Sequence, residues 1–232
     1  MGSIRIDFSG KVIAVTGAFG ALGSAVCAML ADLGAQVARL NHAPVPSGSG
    51  PLSYGGIDLA DDAAAASAIA QIVLETGRLD ALINIAGGFH FENLEQGTLE
   101  TWDSMYRANL RSAVACCKAA LPHLVNSGNG RIINIGALGA VKAGAGMGAY
   151  AASKAGVAKL TEALADELKD RGVTVNALLP STIDTQRNRL DMPKADFNRW
   201  VAPAAIGEVV AFLISDSSSA VTGALIPVAG HT

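Results

Sequence analysis

Residues 11–34 read KVIAVTGAFGALGSAVCAMLADLG, and their reading decides the fold. Residues 11–17 are a short apolar run with β-branched side chains closed by a glycine, which predicts a buried strand. From residue 25 the apolar positions recur at helical spacing as far as Gly34, a residue suited to end a helix. Between strand and helix lies Thr16-Gly17-Ala18-Phe19-Gly20-Ala21-Leu22-Gly23. Glycines in such a turn permit a tight bend, a close approach of backbone to a ligand, and close packing of helix on strand.

The same alternation continues to the end of the chain. QVARL at 36–40 reads as a second strand, whereas NHAPVPSGSGP at 41–51 is too rich in Pro, Gly and Ser for the crossover helix expected there. LSYGGIDL at 52–59 predicts a third strand, followed by an Ala-rich helix from Asp61 to about Glu75. LDALINIAGG (79–88), RIINIG (131–136), VTVNALLP (173–180) and ALIPVAG (224–230) predict the remaining strands. Helices are expected over about 99–127, 149–169 and 204–215, and residues 181–202 read as irregular and polar. This order predicts an α/β fold: a single-domain, doubly wound parallel sheet of about seven strands with helices on both faces, a Rossmann fold spanning 1–232.

Composition agrees with that architecture. Half of the 232 residues are hydrophobic and 16% are charged, as suits strands covered on both faces. The net charge of -3 and the lack of a basic stripe give no reason to expect nucleic acid or an anionic membrane as a partner. Cys27, Cys116 and Cys117 are odd in number and two are adjacent, so a packing role in a reducing compartment is expected, with no metal. MGSIRIDFSGKVIAVTG lacks the pattern of a secretory signal, and no apolar run approaches the roughly 20 residues of a membrane span. A cytoplasmic protein is expected.

A glycine turn feeding a helix N-terminus offers main-chain N–H groups and a partial positive charge to a pyrophosphate. Further elements follow in order: Asp58-Leu59, Asn84-Ile85-Ala86-Gly87, Asn109, Tyr150-x-x-x-Lys154, and Pro180-x-x-x-x-Thr185. With TGxxGxxG at 16–23 they resemble the short-chain dehydrogenase/reductase family over essentially the whole chain, although Ala21 stands where that family usually has glycine. The resemblance implies binding of NADP(H) or NAD(H) by Gly17, Phe19, Gly20, Leu22, Gly23, Asn41, Asp58, Leu59, Ala86, Gly87, Tyr150, Lys154, Pro180, Ile183 and Thr185. It implies Asp58-Leu59 at the adenine, Lys154 at the nicotinamide ribose and Asn109 in a water-mediated proton relay. A homodimer or homotetramer is implied too, with Ala151, Ala152, Ala155 and Gly156 allowing close helix packing.

Tyr150 and Lys154, four residues apart at a helix start, project from one face. A phenol with a pKa near 10 exchanges protons poorly at neutral pH. An ammonium and an oxidised nicotinamide beside it would favour phenolate and make Tyr150 a general acid for reduction and a base for oxidation. The family usually places a substrate-orienting serine thirteen positions earlier; here that position is Ala137, and Ile135, Gly136 and Leu138 offer no hydroxyl either.

Residues 179–200, LPSTIDTQRNRLDMPKADFNRW, resemble the substrate loop of the dihydropteridine reductase-like branch. That branch also has alanine at the serine position, a helix-poor segment after the second strand, and a turn like Ala86-Gly87-Gly88. The resemblance implies a small conjugated carbonyl, imine or pterin-like substrate held by Ala137, Phe89, Met147, Asn188 and Met192, with the loop at about 181–202. His90 and Trp200 are further candidates, and Arg187/Arg189 is either an anion-attracting pair or a solvated face. Asn41 removes the carboxylate that would repel a 2′-phosphate yet can still bond a free hydroxyl, so both nicotinamides stay open. A nucleotide sensor or scaffold that kept the fold and lost turnover is the alternative, motivated by Ala137 and Ala21.

Overall fold

The computed structural model describes residues 6–231. Its seven strands are β1 (Val12–Thr16), β2 (Gln36–Leu40), β3 (Ser53–Tyr54), β4 (Ala81–Asn84), β5 (Gly130–Ile135), β6 (Val173–Pro180) and β7 (Leu225–Val228). They form one sheet in the order β3-β2-β1-β4-β5-β6-β7, every pair parallel. β1, β4, β5 and β6 are buried along their whole length, because helices cover both faces.

Strand side chains alternate between two apolar cores. Val12, Ala14, Leu82 and Ile132 pack with α2 (Asp62–Thr76), α4 (Ser112–Asn126) and α5 (Gly148–Leu168) on one face. Ile13, Val15, Ile83 and Ile133 pack with α1 (Ala21–Asp32) and α7 (Pro203–Ile214) on the other. Cys27, Cys116 and Cys117 are buried free thiols within these cores. Asp61 caps α2, its carboxylate accepting from Ala64 N at 2.8 Å.

Three segments differ from expectation. The third strand, expected over 52–59, is only Ser53–Tyr54. A Cβ at Gly55 would stand 2.6 Å from Ala43 O, and Gly56 N donates to that carbonyl. The helix-free segment after β2 thus folds back onto the end of β3 and stops its pairing. The helix expected over about 99–127 is α3 (Leu99–Met105), a wider π-helical turn (Tyr106–Arg111) and α4; π turns recur at functional sites. Residues 181–202 carry more order than their polarity suggests. They hold α6 (Gln186–Asp191), a 3-10 turn at Phe197–Arg199, and a parallel bridge between Ile183 and Val201.

Candidate active site

The sheet order reverses between β1 and β4, where the carboxyl ends of neighbouring strands part and a ligand crevice opens. Thr16 holds this point together, its hydroxyl accepting from Ile85 N and Ala86 N, both at 3.0 Å. Gly17, at φ +65°, lies so near the second turn that a Cβ would be 2.8 Å from Ala86 N. A Cβ on Gly23 would collide with the Gly17 carbonyl and lie 2.8 Å from Ala18 Cα. Gly20 is the N-cap of α1 and supplies no side-chain cap, so the first-turn N–H groups and the positive end of the helix dipole are left for a ligand. Ala21 is exposed at the first helical position, outside the crowded contacts. Leu22 and Leu59 are buried and Phe19 half-buried.

Asn41 follows β2 beside this turn. With its amide oxygen accepting from His42 N (3.3 Å) and Ala43 N (3.0 Å), its NH2 group lies 3.4 Å from Phe19 N. That orientation satisfies two main-chain donors and is preferred to a single long bond. Asp58 is bonded by the guanidinium of Arg107, which holds its carboxyl below the usual range, with Ala60 N donating at 3.0 Å. Sequence reasoning missed Arg107, because the partner is 49 residues from Asp58 and sits on the π turn.

Tyr150 and Lys154 lie in the first two turns of α5. Lys154 is buried, its Nζ donating to Ile135 O at the carboxyl end of β5 (2.7 Å), and a Cβ on Gly87 would be 3.4 Å from that nitrogen. The amine therefore stands between the end of β5 and the turn after β4. Burial pushes Lys154 down to about 8 and the Tyr150 phenol up to about 12. The phenol therefore moves up under burial alone, opposite to the lowering expected from a neighbouring ammonium and an oxidised nicotinamide.

Asn109, on the π turn and fully buried, accepts from Gly88 N (2.8 Å) and donates to Gly88 O (3.0 Å) and Ser153 Oγ (2.9 Å). Its amide fastens the Ala86–Gly88 turn to α5, and Ser153 closes the link by donating to Tyr150 O at 2.7 Å. A second buried chain runs from Asn84 to Asn134 to Thr161, each step 2.9 Å, fixing α5 to β4 and β5. Ser153, Asn134 and Thr161 were not legible as site-supporting residues, since their partners are remote in sequence.

The residues expected at the substrate are placed less uniformly. Ala137 is buried directly after β5. The Phe89 ring meets Tyr150 edge-on, centroids 5.0 Å apart at 76°. Met147 is half-buried at the N-cap of α5, and Met192 is exposed at the end of α6. Asn188 is committed to its own loop, its amide donating to Ile183 O at 2.8 Å and its N–H to Thr185 Oγ1 at 3.1 Å. Pro180 ends β6, and Thr185 caps α6. His90 faces Glu92 at 3.9 Å, and Trp200 packs on Phe197. Arg187 is bonded to Asp191 (2.8 Å) and Arg189 to Asp184 (2.6 Å), so neither cation is a bare anion trap.

The profile of the family described as short chain dehydrogenase matches residues 11–195. The chain belongs to the short-chain dehydrogenase/reductase family. It is 33% identical to 2,5-dichloro-2,5-cyclohexadiene-1,4-diol dehydrogenase LinX of Sphingobium indicum, over 96% of each chain. It is 32% identical to 3-oxoacyl-(acyl-carrier-protein) reductase FabG of Escherichia coli, over 97% of this chain and 98% of that one. A short-chain type dehydrogenase/reductase from Mycobacterium ulcerans superposes with a TM-score of 0.90 at 25% identity, covering 97% of this chain and 90% of that structure. As a member of the short-chain dehydrogenase/reductase family the protein is an oxidoreductase, and the family's NAD(P)(H) cofactors fit its Rossmann fold. Among the described residues no helix is long and apolar enough to cross a membrane.

Proposed function

We propose that the protein is an NAD(P)H-dependent reductase of a small conjugated carbonyl, imine or pterin-like substrate, with Tyr150 as proton donor. The observation that carries this reading is the buried Lys154 amine, standing between the end of β5 and the Gly87 turn one helical turn beyond Tyr150. A cradle in which a Cβ at Gly17, Gly23 or Gly87 would strike backbone or Asn109 fits a dinucleotide lying close along the main chain.

When bound, a reduced nicotinamide supplies the hydride. The glycine turn and the α1 N-terminus would hold its phosphates, Asp58 and Leu59 its adenine, and Lys154 its ribose hydroxyls. The NH2 of Asn41 and the N–H of Phe19 form a donor pair suited to a ribose hydroxyl or a 2′-phosphate. Pro180, Ile183 and Thr185 would meet the nicotinamide end. Tyr150 gives its proton to the substrate oxygen or nitrogen that gains the electron pair. With its pKa pushed up to about 12 by burial, Tyr150 holds its proton throughout the neutral range, so handing it to substrate requires the Lys154 ammonium and the bound nicotinamide to favour the phenolate. Asn109 holds the turn and helix in register for the proton relay.

Membership of the dihydropteridine reductase-like branch is supported by Ala137, the helix-free stretch after β2, the Ala86-Gly87-Gly88 turn and the 181–202 loop. A conjugated, strongly electrophilic substrate needs less help from a carbonyl-orienting hydroxyl than a simple ketone does. Phe89, Met147, Met192 and Ala137 line the pocket in this reading. One catalytic unit over 1–232, assembled as a homodimer or homotetramer in the cytoplasm, completes it.

The experiment is a thermal-shift comparison with NADH and NADPH, followed by loss of reduced-nicotinamide absorbance with quinonoid dihydropterin, quinones and simple ketones. Cofactor-dependent stabilisation with rapid oxidation on quinonoid dihydropterin or quinones is expected. Firm cofactor binding without oxidation on any substrate would favour a sensor or scaffold instead.

A further inference from the structure

We propose that the Phe89 ring performs the orienting task that a hydroxyl at position 137 would otherwise perform, so that the site selects flat, uncharged ring substrates over open-chain polyols and acyl chains. The inference rests on the reductase reading above and names its substrate class. Phe89 touches Tyr150 edge-on at 5.0 Å yet is 59% exposed, leaving an aromatic surface bare beside the proton donor. Phe91 is 60% exposed and lies over Gly146, where a Cβ would strike the ring. Glu92 N donates to Gly146 O at 2.8 Å, which ties the segment carrying both rings to the segment entering α5. The rings are thus held against the helix that bears Tyr150.

Ala137 provides no polar anchor, and the two loop arginines are engaged by Asp184 and Asp191. The ring in contact with the phenol is Phe89, and it offers aromatic surface in place of a polar anchor. Such faces favour a flat ring in offset or edge contact. A polyol laid on the same face loses hydration and gains no hydrogen bonds. A flexible acyl chain must also give up rotational freedom to lie there.

The test compares kcat/KM of the full-length enzyme, with the preferred nicotinamide saturating, for two rings and two open-chain compounds: quinonoid dihydropterin and a naphthoquinone against erythrulose and ethyl acetoacetate. The rings are expected to lead by about 100-fold or more. Phe89→Ala is expected to raise the ring KM by about 10-fold, with the change mainly in KM rather than kcat. Phe89→Tyr restores the ring KM and Phe89→Leu does not, because only the former restores a flat face. Equal kcat/KM for rings and open chains in the wild type, or equal losses on both classes in Phe89→Ala, overturns the ring inference and leaves the reductase reading standing. No turnover of either class defeats the reductase reading, and this inference falls with it.

Discussion

Where the glycine turns meet, main chain is pressed against main chain, while beside the start of α5 aromatic rings stand half in solvent. A Cβ at Gly17 or Gly23 would strike the neighbouring turn, and Thr16 and Asn109 bond the turns to one another and to α5. Phe89, Phe91 and Met192, by contrast, are all exposed and carried by loop or loop-flanked positions. A close-packed backbone cradle admits one kind of ligand and punishes almost any substitution. A rim of exposed side chains can change without disturbing the fold, which is how one family serves many substrates.

That contrast can be broken at its stiffest point first. In Gly23→Ala the new methyl meets backbone, so the turn itself must move. Cofactor affinity is expected to fall about 100-fold and stability by about 1–3 kcal/mol, read by fluorescence titration and thermal melting. Unchanged affinity and melting would mean that the turn is not close-packed.

Next comes Lys154→Met, expected to abolish most turnover while raising stability at neutral pH. Burial lowers Lys154 from 10.5 to about 8. Between those values the unfolded chain still holds a proton that the folded chain has lost, so wild-type stability rises with pH through about 8–10.5. Below about 8 the penalty of the buried cation is fully present. Its removal is worth about 3 kcal/mol at most, reduced by the lost bond to Ile135. The gain in melting temperature should therefore be largest near neutrality and shrink towards pH 10; a gain that grows with pH would contradict the burial account.

On the substrate side the effects shrink. Ala137→Ser is expected to improve kcat/KM for simple ketones by about 2–10-fold, the worth of one hydrogen bond. No gain would mean that the aromatic walls, rather than the missing hydroxyl, keep such ketones out. Smallest of all, Arg187→Ala removes an exposed ion pair and should change stability by no more than about 0.5 kcal/mol. A larger loss would show the 181–202 loop to be stiffer than its exposure indicates.

The same division governs what the sequence could reveal. Strands at 36–40 and 173–180 were legible to the residue because apolar runs bounded by glycine or proline state their own limits. The short β3 was not, since it is cut off by a backbone contact from Ala43 and Val45 to Gly55. α6 is too short to announce itself within a polar loop. In the site, the spacing of Tyr150 and Lys154 put both on one face of a helix, and only the ordered set of motifs around them marked that face as a site. The Arg107–Asp58 pair and the Asn84–Asn134–Thr161 chain were not, because they join residues that only the fold brings together. The rise of the Tyr150 phenol also needed the structure, because burial of the ring cannot be read from the spacing of tyrosine and lysine.

Tyr150→Phe separates proton donation from cofactor binding, by parallel measurement of turnover and of the dissociation constant for the reduced nicotinamide. Turnover is expected to fall about 100- to 10,000-fold, with the dissociation constant within about 3-fold of wild type. An unchanged rate, or a rate that falls only in proportion to lost cofactor affinity, would contradict proton donation by Tyr150.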